Sequence, residues 1–429
     1  MKPVKHSVAV VVRGDDGTYL AVKRPADPDD PLAGVWGLPA VTLKDGEDER
    51  AAAARAGRDK LGVELAVGRK IGEKTAERDA YLLHLADYEA TVTVGTPSVP
   101  QPGTQVTQYT DCLFTPDPGM LEEAAGRGSV CAQVFLEAAA ETGRVAAFRQ
   151  RAGLGSLIDV HTHFMPERVM AAVWAYFDSA GPLIGRRPWP VRYRSAEDDR
   201  VAALREFGVR AFTSMLYPHK PDMARPLNDW AADFARRAPG CLHTATFFAE
   251  PSAAADVRRA LEQGARVFKC HLQVGGFDPN DPLLDDAWGL LAESGTPVVT
   301  HCGSFPVPGR FTGPGPVADL LARHPRLRLV AAHLGMPEYS GFLGLAERYP
   351  RVLLDTTMAF TDFVETVAPF PRSELPRLEA LGDRVLLGTD FPNIPYSYAD
   401  ALEGLERAGP GTAWLRAVCH DNAAALFGL

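Results

Sequence analysis

The chain has 429 residues, of which 46% are hydrophobic and 23% charged, and its formal net charge is −9 at pH 7. This length suits two domains of ordinary globular composition, and the acidic balance argues against a nucleic-acid-binding protein. No apolar stretch reaches the length of a membrane span, and six scattered cysteines without a CxxC pair predict reduced thiols and a cytoplasmic location. We therefore expect a small-molecule partner rather than nucleic acid or a membrane, with a homodimer left open.

The first predicted elements are short strands and one helix. Strand-like runs at residues 8–12 and 20–23 flank a Gly-Asp-Asp-Gly segment at residues 14–17, which is a strong hairpin signal. A helical stretch from Glu47 to Lys60 follows, and residues 80–90 form another strand-like run. The order of these elements indicates a separate N-terminal domain.

Residues 41–63 resemble the box motif of Nudix domains, with Glu47, Arg55, Gly62 and Val63 at matching positions. This resemblance implies a small α+β domain over residues 1–148.

The same stretch departs from the Nudix pattern where the chemistry would lie. Nudix hydrolases need a cluster of glutamates to hold Mg²⁺ against a diphosphate, but Ala56 and Lys60 replace two of those carboxylates and leave only Asp59. A lysine at such a position repels the metal. We therefore expect this domain to be catalytically inactive, in which case Glu47 and Asp59 are solvated helix positions.

The remainder of the chain predicts a (β/α)₈ barrel. Residues 149–155 are small and arginine-rich and are predicted to form a linker. From residue 156 to residue 429, apolar strand-like runs alternate with helical segments, and no glycine-rich phosphate loop follows the first strand. The eight predicted strands lie at residues 156–161, 209–216, 242–248, 265–272, 297–301, 327–333, 352–355 and 384–390.

Metal-ligand residue types stand where five of these strands end. His161 and His163 are spaced i, i+2, so in a strand both imidazoles point to the same face. A single histidine after a strand is more often an ordinary hydrogen-bonding residue, but a full set at the carboxyl ends of a barrel predicts a divalent-metal site at its mouth. The other members of the set are Lys269, His271, His301, His333 and Asp390.

Residues 156–429 resemble the amidohydrolase superfamily, in the branch that includes aminocarboxymuconate-semialdehyde decarboxylase. The matching positions are His161 and His163 on strand one, His301 on strand five, His333 on strand six and Asp390 on strand eight, together with the closing segment at residues 422–427. The resemblance implies that His161, His163, His301 and Asp390 hold one divalent ion, Zn²⁺ being expected and Mn²⁺ or Fe²⁺ remaining open.

The same resemblance implies roles for the other strand-end residues. Asp390 would accept a proton from a metal-activated water, and His333 would hydrogen-bond the reacting oxygen or shuttle a proton. In a binuclear site, His333 and a carboxylated Lys269 would bind a second metal. We favour one metal, in which case Lys269 is a cation that binds a substrate carboxylate or pairs with Asp390.

Clues to the substrate are few. Arg192, in an insertion after the first barrel helix, and Arg310, in the loop after strand five, are candidate substrate-binding residues together with Lys269 and His271. Arginines in such loops can equally be solvated surface residues. The leading hypothesis is a metal-dependent hydrolase that cleaves a C–N or related bond, and the alternative is a metal-dependent non-oxidative decarboxylase. The N-terminal domain would then be a binding or gating module.

Overall fold

The computed structural model describes residues 2–100, 109–179 and 188–429 of the chain. The chain divides into two units, one of Met1–Gly143 with Asp198–Ala202 and one of Arg144–Glu197 with Ala203–Leu429. This division falls earlier in the chain than residue 148, where the sequence predicted the first domain to end.

Strand β1 (Val4–Arg13) organises the first unit because both of its faces are apolar. Val8 and Val10 pack in one buried cluster, whereas Ala9 and Val11 pack in another, as the alternation of side chains along a strand requires. The other elements are β2 (Tyr19–Lys23), β3 (Trp36–Gly37), β4 (Ala40–Thr42), α1 (Glu49–Ala56), β5 (Glu64–Glu77), β6 (Leu82–Val94), β7 (Asp111–Thr115) and α2 (Glu122–Gly126), and helix α3 (Val130–Arg151) continues into the second unit. The sheet order is β3-β2-β1-β6-β5, with β4 paired to β1 and β7 paired to β2.

Residues 149–155 were expected to form a linker. This expectation is wrong for residues 149–151, because helix α3 continues through Arg151. Alanine and arginine are good helix formers, and the basic side chains of this stretch have acidic partners. Arg144 Nε donates to Glu403 and Arg151 Nε to Glu406, each at 2.8 Å. The arginine-rich composition therefore reflects a helix with ion pairs along one face, and only the residues after the helix connect it to the first barrel strand.

The second unit confirms the predicted barrel, with all eight strand positions occupied within its described residues. The third strand is divided at His243 into β10 and β11, and neighbouring strands pair in parallel from β8 to β10 and from β11 to β16. The strands are β8 (Leu157–Asp159), β9 (Val209–Thr213), β10 (Cys241–Leu242), β11 (Thr244–Thr246), β12 (Val267–His271), β13 (Val298–His301), β14 (Leu329–Ala331), β15 (Leu353–Asp355) and β16 (Val385–Leu386).

Helices lie between most of these strands. Among the described helices, none is both long and apolar enough to cross a bilayer. The helices are α4 (Glu167–Ser179), α5 (Glu197–Glu206), α6 (Ala224–Arg237), α7 (Ala253–Glu262), α8 (Leu272–Gly275), α9 (Asp285–Ser294), α10 (Pro314–Arg323), α11 (Tyr339–Arg348), α12 (Asp362–Glu365), α13 (Leu375–Ala380), α14 (Tyr398–Ala408), α15 (Thr412–Arg416) and α16 (Asn422–Phe427).

Hydrogen bonds between the first and last strand positions close the barrel. The Val160 N–H donates to Leu387 O at 2.9 Å, and the Asp390 N–H donates to His161 O at 2.9 Å. These bonds place the end of strand eight beside the two histidines of strand one.

Helix α16 completes the core of the barrel. Ala423 and Phe427 belong to the buried cluster formed by inward-facing strand residues. The Asn422 side chain donates to Gly382 O at 2.6 Å and to Val385 O at 2.8 Å, which fixes the helix to the start of strand eight. Burying a phenylalanine stabilises the fold by about 1.5–3 kcal/mol.

Candidate metal centre

The end of strand one presents two buried imidazoles whose orientation is fixed from behind. His161 Nδ1 lies 3.0 Å from Asp355 Oδ2, and His163 Nδ1 lies 2.5 Å from Met215 O. A carboxylate and a carbonyl can only accept, so each Nδ1 carries the proton and each Nε2 presents a lone pair. Orientation of one ring nitrogen by an acceptor is the usual arrangement behind metal-binding histidines.

Asp390 faces both of these lone pairs from the end of strand eight. Its Oδ1 lies 2.8 Å from His163 Nε2 and 3.4 Å from His161 Nε2. Ligand atoms of the three residues all lie within 4.8 Å of one another. Electron-rich atoms at such distances repel unless a positive charge lies among them, and two imidazoles with one carboxylate suit a divalent ion such as zinc. This donor set therefore fits the expected metal.

The backbone at Gly388 permits this close approach. A Cβ atom at this position would lie 2.8 Å from His161 Cβ and 3.2 Å from Asp355 Oδ1. Asp390 itself adopts a φ of 73°, an uncommon left-handed conformation that aspartate tolerates better than most residues. Burial alone would raise the pKa of Asp390, but the neighbouring imidazoles of His163, His161 and His333 hold that pKa well below its usual range.

Lys269 is fully buried on β12, and its Nζ lies 2.9 Å from His161 Nε2. Burial lowers the pKa of Lys269 to about 8, although the charges of Asp355 and Asp390 oppose this shift. The amine thus contacts the same lone pair that a metal at this centre would use. Its predicted roles as a carboxylated bridge or as a substrate cation stay predictions.

His301 is the expected metal ligand that the structure places differently. Its Nε2 donates to Phe305 O at 2.8 Å, and it lies outside the group formed by His161, His163 and Asp390. The carbonyl of Phe305 belongs to the loop after β13, which folds back over the ring. The sequence could not reveal this contact, because it depends on the path of that loop.

His271, His301 and His333 form a second row of rings beside the candidate metal centre. The His271 and His301 rings stack with centroids 4.1 Å apart, and the His333 centroid lies 4.8 Å from His301 and 5.1 Å from His161. Burial lowers the pKa of His333 to about 4 and holds the pKa values of His271 and His301 well below their usual range. The row is therefore neutral at physiological pH.

Asp355 is a residue of the centre that the sequence analysis missed. It ends strand β15 and contacts His161, whereas Asp159, the aspartate two residues before His161, binds the hydroxyls of Thr389 and Tyr398 at 2.6 and 3.0 Å. Burial would raise the pKa of Asp355, but the charges of His161 and His333 hold it well below its usual range. Asp355 is a metal-ligand residue type at the end of a predicted strand, which is the criterion that identified the other residues of the centre.

The two candidate substrate arginines are both exposed. The Arg192 backbone N–H donates to Ile394 O at 2.9 Å, and the Arg310 guanidinium lies 5.1 Å from the centre of the Phe311 ring. A role for either in substrate binding stays a prediction.

The buried histidines predict a loss of stability in acid. For metal-free protein, we expect the free energy of unfolding to fall as the pH drops from about 6.5 to about 4, because unfolded histidines take up protons in this range. Burial keeps the pKa values of His161 and His333 at about 4, so the folded chain excludes those protons. Burial also lowers the pKa values of His243, His271 and His301, which adds to the loss. It raises the pKa of Asp159 to about 7 and the pKa values of Asp87 and Asp199, which acts in the opposite direction but for fewer groups. Urea unfolding of chelator-treated protein across this range tests the expectation; unchanged or rising stability would contradict it.

In the first unit, the carboxylates left over from the Nudix pattern are engaged in ion pairs. Arg55 Nε donates to Glu47 Oε1 at 2.7 Å and Arg55 Nη1 to Asp59 Oδ2 at 3.1 Å. A second acidic group, Glu49 with Glu73 and His84, surrounds the ammonium of Lys70, which lies 2.7 Å from Glu49 and 2.9 Å from Glu73. Each of these two acidic groups is therefore already paired with a positively charged side chain, Arg55 in the first and Lys70 in the second.

We accordingly expect no hydrolysis of nucleoside diphosphate derivatives above background. Arg55 holds both Glu47 and Asp59, and Lys60 adds a further positive charge that interacts with Asp59. Release of nucleoside monophosphate with and without Mg²⁺ is the measurement. Turnover that Mg²⁺ stimulates and Asp59→Asn abolishes would contradict the expectation.

Comparison with known proteins gives a separate match for each part of the chain. A model of the amidohydrolase family matches residues 158–429, and a model of the NUDIX domain matches residues 3–115. No curated protein matches the chain.

Solved structures are similar to the two parts at low identity. An uncharacterised TIM-barrel protein, Bb4693 from Bordetella bronchiseptica, is 18% identical with a TM-score of 0.52, over 64% of this chain and 98% of its own. 5-Carboxyvanillate decarboxylase LigW from Sphingomonas paucimobilis is 18% identical with a TM-score of 0.47, over 64% and 99%. The ORF135 protein of E. coli is 23% identical with a TM-score of 0.26, over 32% and 91%.

Proposed function

Because the match over residues 158–429 shows that the chain belongs to the amidohydrolase family, we propose that it is a metal-dependent hydrolase of a C–N or related bond in a small molecule. The observation that carries the proposal is the convergence of His161 Nε2, His163 Nε2 and Asp390 Oδ1 at the barrel mouth. These residues would hold the metal, with zinc the ion that their chemistry favours and Mn²⁺ or Fe²⁺ as alternatives.

When bound, a divalent metal supplies Lewis acidity, which polarises a substrate carbonyl and makes water more acidic. Asp390 then accepts a proton from the attacking water at its carboxylate and later returns it to the leaving group. His333 Nδ1 is buried and has no hydrogen-bond partner among the residues that the structure describes. A neutral imidazole with one nitrogen available is suited to hydrogen-bond the reacting oxygen or to relay a proton.

A decarboxylase is the second candidate, and the position of Lys269 favours it. A buried ammonium beside the candidate metal centre is a natural partner for a substrate carboxylate, which such an enzyme would release as carbon dioxide. The test is a panel of amides, imides and aromatic carboxylates, with release of amine or acid measured beside release of carbon dioxide. Release of carbon dioxide together with the decarboxylated product, and no release of amine or acid, would replace the hydrolase proposal with the decarboxylase.

Metal content tests the premise that both candidates share. Elemental analysis of active, purified protein should find zinc, manganese or iron. Active protein without any of these ions would overturn both candidates.

His333→Asn should lower turnover more than it lowers metal content. The ring lies 5.1 Å from that of His161, close enough to serve a reacting group, whereas His161, His163 and Asp390 supply the candidate donor atoms without it. Removing a general acid or base lowers the rate by about 10²–10⁴-fold. If the variant instead binds half as much metal as the wild type, the centre is binuclear and His333 is a ligand.

The N-terminal unit is proposed as a binding module rather than a second enzyme. Comparing KM and kcat of the full chain with those of a chain beginning at Arg144 tests this role. Equal KM and kcat values in both proteins would contradict it.

A further inference from the structure

Asp355 is a fully buried carboxylate that no step of the proposed reaction uses. Its Oδ2 lies 3.0 Å from His161 Nδ1, and its Oδ1 accepts the backbone N–H groups of His333 at 2.9 Å and Thr357 at 3.1 Å. One side chain therefore contacts a candidate metal ligand and the backbone of the candidate proton relay.

We propose that Asp355 is a positioning residue that prepares His161 for the metal and holds the turn that carries His333. The inference rests on the metal centre of the proposed function. Because the carboxylate can only accept, His161 must carry its proton on Nδ1, which leaves the Nε2 lone pair for a metal. Without such a partner, imidazole readily adopts the other tautomer, in which Nε2 carries the proton and cannot coordinate.

The second oxygen of Asp355 acts on the backbone. His333 and Leu334 adopt φ values of 58° and 54°, a left-handed conformation that costs energy for residues other than glycine. The hydrogen bond from the His333 N–H to Asp355 Oδ1 stabilises the start of this turn. The same carboxylate thus connects strand one to the end of strand six.

No isosteric neutral side chain can replace all of these contacts. Asparagine offers one accepting oxygen and one donating NH₂ group, whereas the three partners of Asp355 are all donors. If the NH₂ group faces His161, Nδ1 must accept and Nε2 takes up the proton. If it faces the backbone, it opposes the N–H groups of His333 and Thr357.

The test compares Asp355→Asn with Asp159→Asn as a matched control. Asp159 is also a buried strand aspartate that accepts three hydrogen bonds, but its partners are the Thr389 and Tyr398 hydroxyls and the His161 backbone, and none of them is a ring. Zn²⁺ affinity of the metal-free full chain is measured by competition with a chromogenic chelator, with circular dichroism to verify folding. We expect Asp355→Asn to weaken Zn²⁺ binding by about 10- to 100-fold and the control by less than about threefold. Equal affinities of the wild type and Asp355→Asn would overturn the proposal.

A measurement on the wild type keeps the proposal testable should Asp355→Asn fail to fold. Long-range ¹H–¹⁵N spectra of histidine-labelled, metal-free protein report the tautomer of each ring, and the His161 signals are those that the His161→Asn variant lacks. We expect the Nδ1–H tautomer at His161, and the Nε2–H tautomer would overturn the proposal. A wild type that binds no Zn²⁺ would refute the metal centre itself, so the two failures are distinguishable.

Discussion

Replacing Asp390 by asparagine is expected to lower kcat by about two to four orders of magnitude, the usual contribution of a general base. Asparagine keeps the shape and one coordinating oxygen but loses the basic carboxylate that lies 2.8 Å from His163 Nε2. It also tolerates the left-handed φ of 73° at this position, so folding should be nearly unchanged. Steady-state kinetics on any panel substrate that the wild type converts, together with thermal unfolding, measure both effects.

Asp383→Asn serves as the control for this substitution. Asp383 stands just before strand eight with 81% of its side chain exposed, so the same chemical change there should leave kcat unaltered. Turnover of Asp390→Asn equal to that of the wild type would mean that Asp390 is not the base.

His163→Ala is expected to weaken Zn²⁺ binding by about a hundredfold or more. A structural zinc site with four protein ligands binds with roughly 10–16 kcal/mol, which is roughly 3 kcal/mol per ligand. Loss of one of the three candidate ligands here should cost a similar amount, and each 1.4 kcal/mol is about tenfold in affinity. The measurement is a chelator competition on metal-free protein.

His219→Ala is the matched control for this prediction, because His219 is exposed and lies beyond the end of strand two. Its affinity for Zn²⁺ should equal that of the wild type. If His163→Ala also binds Zn²⁺ as the wild type does, the metal does not bind at the end of strand one.

The barrel could be predicted because each of its strands is an apolar run between turn residues, which is a local property of the sequence. The pairing of His161, His163 and Asp390 followed from the barrel, since its strands all present their carboxyl ends at the same rim. Strand β5 (Glu64–Glu77) was not predicted, because it is mostly polar and partly exposed and therefore has neither an apolar run nor a clear alternation.

The features that could not be predicted from the sequence depend on contacts between distant parts of the chain. Asp355 and His161 are 194 residues apart, and their pairing depends on which strand ends face each other across the rim. The Phe305 carbonyl that engages His301 lies in a loop whose course no periodicity describes. The end of helix α3 was predicted as part of a linker, because its arginines have no visible partners in the sequence and their acidic partners are supplied by α14.

Gly388 has no side chain, and this affects how the protein responds to substitutions in its apolar core. Strands one and eight meet there through backbone hydrogen bonds, with the Asp390 N–H donating to His161 O. Main-chain hydrogen bonds therefore connect Asp390 directly to strand one, without an intervening side chain of the apolar interior. Substitutions among the interior valines and leucines should shift the melting temperature while the affinity for Zn²⁺ stays constant. The thermal stability of the barrel could therefore be raised by core substitutions that leave the candidate metal centre unchanged.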